Sequence, residues 1–134
     1  MTWAVGQELK PIEKPAITRE QLTLYAEASG DDNPIHLDDK FAREAGFPSV
    51  IVHGMISMGF MADMVLVNFP RKSYALLSLR TKFKRVTFPG DRIRCIGKVR
   101  KVEPDGTVVV SLSTLNQSGE ATTDGEARLR PSAS

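Results

Sequence analysis

Residues 55–69 are apolar around almost the whole circumference of a helix, with Met55, Ile56, Met58, Phe60, Met61, Met64, Val65 and Leu66 leaving no polar face. Such a helix has to be wrapped by other structure. A bilayer is excluded as the wrapping, because the stretch contains Asp63 and is too short to span one. The C-terminal half of the chain supplies the alternative. From Tyr74 the hydrophobic period changes to two, and strands are expected over 74–86, 92–103, 107–115 and 121–129, separated by the turn signals FPGD, EPDG and NQSG. Consecutive strands joined by tight turns form an antiparallel sheet. The expected fold is therefore α+β, a curled sheet around one long central helix.

The lead-in to that helix is punctuated by caps. Thr18 and Gln21 in TREQ form a capping-box pattern, Leu22, Tyr25, Ala26 and Ser29 recur at helical spacing, and Gly30 suits a left-handed helix end. A short second helix is expected over 38–45. A chain of 134 residues suits one domain, expected here as residues 1–130, with 131–134 a frayed tail. No secretory leader is evident at the start of the sequence, and Cys95 is the only cysteine, so no intrachain disulfide is expected and a cytoplasmic setting is.

Net charge is only +2, but nine of the 18 Lys and Arg fall between residues 80 and 101, against one acid, Asp91. Alternation of Arg80, Lys82 and Lys84 fits the solvated face of a sheet. Together with Arg85 they also form a candidate surface for a phosphate-bearing partner. Nucleic acid is not expected, because only Phe83 and Phe88 interleave the patch and no binding motif accompanies it.

The chemistry concentrates in YAEASGDDNPIHLDD. Gly30 ends a helix, and Pro34 steers Asn33 away from helical geometry, so residues 31–36 make a fixed turn. Asn33 can stiffen it by bonding its own backbone. Asp32, Asp38 and Asp39 read as turn and cap residues. Asp31 and His36 are different: a carboxylate and an imidazole held together can share a water and pass protons near neutral pH.

The longer string YAEASGDDNPIHLDDKFAREAGFPSVIVHGM resembles the MaoC-like, or (R)-specific hydratase, family, whose pattern is G-D-x-N-P-x-H followed by H-G-M. Gly30, Asp31, Asn33, Pro34, His36 and His53-Gly54-Met55 carry the match, and FKRVTFPGD resembles the family's later segment with Val86 where proline is common. The resemblance implies a hot-dog fold and a homodimer with active sites at its interface. Two histidines and one cysteine offer no ligand cluster, so no metal or redox cofactor is expected. The resemblance also implies that Asp31 and His36 are the catalytic pair acting on water. The substrate would be an α,β-unsaturated acyl thioester of CoA or acyl carrier protein, with the Gly54 amide binding its carbonyl. Gly54 at a helix start also suits that role physically, since first-turn amides lack acceptors and sit at the positive end of the dipole. Asn33, Met55, Arg80, Lys82, Lys84 and Arg85 are further substrate-binding candidates. His53 is read as a helix-start histidine bonded to backbone, not as a catalytic group. The methionines at three-residue spacing are read as core, some of them lining an acyl tunnel. A hot-dog thioesterase and a non-catalytic stabilising subunit are the competing functions; the intact Asp31–His36 pair argues against both.

Overall fold

The computed structural model describes residues 2–132. In chain order the elements are β1 (Ile12–Glu13), α1 (Arg19–Ser29), a 3-10 turn (Pro34–His36), α2 (Asp39–Glu44), α3 (Gly54–Asn68), β2 (Tyr74–Phe83), β3 (Arg94–Val102), β4 (Val108–Leu115) and β5 (Ala121–Pro131). All strand pairings are antiparallel, in the order β1-β3-β4-β5-β2. Irregularities at Leu76/Ser78, Val99/Lys101 and Thr114/Leu115 add bend and twist to the strands. Helix α3 lies against β2, β3, β4 and β5. This is the hot-dog arrangement of a sheet cradling one apolar helix.

Close approach depends on a small residue beneath the helix. A Cβ on Gly125 would sit 3.0 Å from Met61 Sδ and 2.8 Å from the Arg80 carbonyl. Met61, Met64 and Val65 are fully buried above the sheet, with Val110, Leu112, Ala127 and Leu129 below. Burying each such side chain contributes roughly 1.5–3 kcal/mol. Wrapping of α3 is nonetheless incomplete within one chain, because Met55 and Val67 are more than half exposed.

Both sheet edges bear on assembly. Beside β3 the N-terminal segment pairs through Gly6 N–H to Val99 O, Val99 N–H to Gln7 O and Leu9 N–H to Gly97 O, which covers that edge. Beside β2 no strand is paired on its outer side among the described residues.

The expected strands are present with shifted ends, each for a local reason. β2 stops at Phe83 because the Lys84 and Arg85 amides both turn onto the Thr122 carbonyl. β3 starts two residues late because Arg92 N–H donates to the Gln117 side chain. β5 continues to Pro131, opposite Tyr74, and Ser132 N–H donates to Ser73 O, so the first two residues of the expected tail are paired. The last two, Ala133 and Ser134, lie outside the described residues.

Candidate active site

The capping box at Thr18 forms as the sequence predicts, and α1 ends at Gly30, whose N–H donates to Ala26 O and whose φ of 80° turns the chain out of the helix. The turn beyond it is held by short-range bonds. Asp31 N–H donates to Ser29 Oγ, Ile35 N–H to Asn33 Oδ1, and Leu37 and Asp38 N–H to Pro34 O. Asn33 therefore acts as a backbone clip. It is exposed and does not line the cleft at the start of α3, so its candidacy for substrate contact gains nothing from the geometry.

A second segment, residues 47–53, docks against this turn. Ile51 N–H donates to Ile35 O, and Val50 N–H donates to Asp39 Oδ1, which also takes Arg19. The Val50 amide first and Arg19 second hold the Asp39 carboxyl below its ordinary range. His36 Nδ1 lies 2.7 Å from Ile51 O, and a carbonyl can only accept, so Nδ1 carries the proton. In the neutral ring Nε2 is then a free acceptor. It faces Asp31 Oδ2 at 3.8 Å, too far for a direct hydrogen bond and suited to a bridging water.

His53 joins the two segments. Its Nε2–H donates to the Asp31 peptide carbonyl at 3.0 Å, its ring stacks on His36 with centroids 3.9 Å apart and planes at 21°, and Tyr25 lies 4.7 Å away on centroids. The expected backbone bond is present, but to the turn rather than to the helix: His53 makes no side-chain cap on α3. Burial depresses its pKa below the ordinary histidine value, against the opposing pull of the bond to Asp31. It is held neutral.

With no side-chain cap, and with Ile56 N–H taken by His53 O, the Gly54 and Met55 amides are left for another acceptor. They open onto a cleft of about 460 Å³ whose lining includes His36, Gly54, Met55, Phe83, Lys84 and Arg85. His36, the helix start and two of the four basic candidates thus meet at one place, and Asp31, outside that lining, is linked to it by its 3.8 Å approach to His36 Nε2. Arg80 and Lys82 are not part of that lining. The basic stretch is also less charged than it looks, because β5 and the turn before it supply acids beside it. Lys84 pairs with Asp124 at 3.0 Å, Arg85 with Glu120 at 3.4 Å, and Arg100 with Glu126 at 2.9 Å. The Lys84 bond first, and the Ser113 hydroxyl second, lower the Asp124 pKa.

Seven lining residues escaped sequence reasoning, among them Phe83, Ser57, Thr87 and Thr123. Phe83 matters most, since a Cβ on Gly54 would sit 2.9 Å from its Cε1. The space beside Gly54 is filled by that ring, so Gly54 serves packing as well as any ligand. The signal was available, as Phe83 is an aromatic at the strand end just before the turn.

Asp31, His36 and His53 bring one potential ligand atom each within 4.8 Å of one another, a trio that counting histidines and cysteines alone did not anticipate. Its geometry is poor for a metal. His36 Nδ1 and His53 Nε2 are bound to carbonyls, and stacking keeps the remaining lone pairs in near-parallel, separate planes, which suits a shared tetrahedral centre poorly.

The chain is similar to known proteins in sequence and in fold. The model of the MaoC like domain matches residues 2–120. The mitochondrial 3-hydroxyacyl-[acyl-carrier-protein] dehydratase of Arabidopsis thaliana is 33% identical over 129 residues, covering 92% of this chain and 74% of that protein. A probable enoyl-CoA hydratase 2 of Dictyostelium discoideum is 31% identical over 109 residues, 81% of this chain; the match spans only 36% of that longer protein. Among solved structures, the (R)-hydratase from A. caviae involved in PHA biosynthesis superposes with a TM-score of 0.87 at 27% identity, covering 97% of this chain and 98% of that one.

Proposed function

The chain belongs to the MaoC-like domain family, and from that premise we propose that it reversibly adds water to trans-2-enoyl thioesters to give (R)-3-hydroxyacyl products. The observation that carries the reading is the gap between Asp31 Oδ2 and His36 Nε2, two acceptors 3.8 Å apart. A water donating one hydrogen to each presents its lone pairs outward, toward a substrate in the cleft.

Water is a poor nucleophile, and C3 becomes electrophilic only if charge can move to the thioester oxygen. The reaction therefore needs a base at the water and a donor at the oxygen, both fixed beforehand. Asp31 takes a water proton as the oxygen bonds to C3; His36 holds and orients the water. The Gly54 amide, at the positive end of α3, receives the developing enolate. One member of the pair then returns a proton to C2, so the elements of water end on C3 and C2. The (R) outcome is carried over from the A. caviae hydratase. Lys84 and Arg85 at the cleft suit the phosphates common to CoA and the carrier-protein arm.

We further propose a single domain over residues 1–130 that acts as a homodimer in the cytoplasm. Support for pairing comes from the unpaired side of β2 and from Leu76, Leu77, Met55 and Val67, large apolar side chains left exposed on β2 and α3. None of the described helices is long and apolar enough to cross a membrane.

Crotonyl-CoA is the first substrate to test. The reading predicts loss of the enoyl absorbance with (R)-3-hydroxybutyryl-CoA as product. Release of free CoA without hydration would identify a thioesterase instead, and no turnover of any enoyl thioester would sink the hydratase reading.

A further inference from the structure

We propose that His53 is a positioning residue for the Asp31–His36 pair, holding Asp31 by its peptide carbonyl and His36 by ring stacking. This rests on the hydratase reading and adds to it a residue that does not touch the substrate. The ring is 1% exposed and absent from the cleft lining, so it acts only through its neighbours. Both members of the pair are gripped by it: Asp31 through the 3.0 Å bond from Nε2–H, His36 through the 3.9 Å stack. No other contact ties the Asp31 carbonyl to the α3 start among the described residues. Asp31 has an exposed side chain, and its loop position would otherwise depend on its own turn alone.

A second observation separates this from packing. With Nε2 donating, Nδ1 has to be the acceptor, and it is the buried side-chain polar atom that finds no partner among the described residues. A sealed, unpaired acceptor weakens a fold, and an apolar residue of similar size would remove it. Histidine is kept here at a cost to stability, which suits a residue whose value lies in the site.

The test compares wild type, His53→Leu and His53→Gln on crotonyl-CoA, with thermal melting of each. Leucine removes donor, stack and orphan together. It is expected to leave Tm unchanged or raised while kcat falls about 10- to 100-fold, the scale of a misplaced group, with KM within about threefold. Glutamine can still donate to the Asp31 carbonyl and should recover at least part of kcat. If His53→Leu is folded and retains wild-type kcat, the proposal is overturned. It is equally overturned if both variants lose Tm and keep wild-type kcat per folded molecule, the behaviour of a packing residue. Should leucine fail to fold, glutamine alone decides: a folded His53→Gln with kcat as low as expected for leucine contradicts the carbonyl bond as the grip. Inactive wild type would instead refute the hydratase reading, so the two failures are distinct.

Discussion

The turn at residues 30–36 and the basic stretch at residues 80–101 look equally loaded with chemistry as text, and they fold into opposite situations. In the turn, every holding bond comes from within a few residues or from one docked segment, and Asp31 and His36 emerge as partners at 3.8 Å. In the basic stretch, β5 brings Asp124 and Glu126, and the turn before it Glu120, alongside cations more than thirty residues earlier, and these three acids offset three of the nine positive charges. Local chemistry survives folding intact. Charge on a sheet is rewritten by its neighbours.

If that contrast is right, the largest effects belong to the turn. His36→Ala should reduce kcat for crotonyl-CoA by about 10²-fold or more, on general acid–base magnitudes. Combining it with Asp31→Asn should be little worse than either alone, because the two act on one water. A double variant that is multiplicatively worse, measured by single-turnover kinetics, would break the pair into independent groups.

Gly54→Ala comes next. The added methyl meets Phe83 at 2.9 Å, and Phe83 is half exposed, so the ring can swing rather than unfold the helix start. The carbonyl site is thereby crowded, and kcat should drop about 10-fold or more, on the scale of weakened carbonyl stabilisation. Adding Phe83→Leu to Gly54→Ala should relieve part of the loss.

Basic residues should matter less and unevenly. Lys84→Glu or Arg85→Glu, both at the cleft, should raise KM at low salt with kcat nearly constant, and the effect should fade as salt screens it. Arg80→Glu and Lys82→Glu, away from the cleft, should raise KM less. Equal effects at all four positions would restore a broad phosphate-attracting face.

The smallest effect is on stability. Asp39 has its folded pKa below the ordinary value, so its contribution is complete above about pH 4 and lost as pH falls through the folded value. Wild-type Tm should fall across that window, and Asp39→Asn should show a shallower fall. Parallel curves would mean that the bond to Val50 does not depend on the charge.

Legibility in the sequence followed the range of the interactions. The Thr18–Gln21 box, the Gly30 cap and the Asn33 clip are near-neighbour devices and could be read directly. The apolar α3 demanded wrapping, and period two supplied the sheet, so the fold could be read as well. What could not be read arises across the sheet or between segments. Phe83 beside Gly54, the cleft lining by Ser57, Thr87 and Thr123, and the β5 acids opposite the basic strand all depend on how distant segments meet. His53 could be recognised as a residue bonded to backbone, but not its stack on His36, since the two lie seventeen positions apart and meet only when the Ile51 loop docks.

The central claim is that one of two adjacent aspartates is the base and the other is a turn residue. Asp31→Asn and Asp32→Asn are the same chemical change, one residue apart, and kcat for crotonyl-CoA hydration by the two folded variants tests the claim most directly. The account predicts a loss of about 10²-fold or more at Asp31, on general-base magnitudes, and a rate within about twofold of wild type at Asp32. A near wild-type rate for folded Asp31→Asn, or equal losses at both positions, would contradict it.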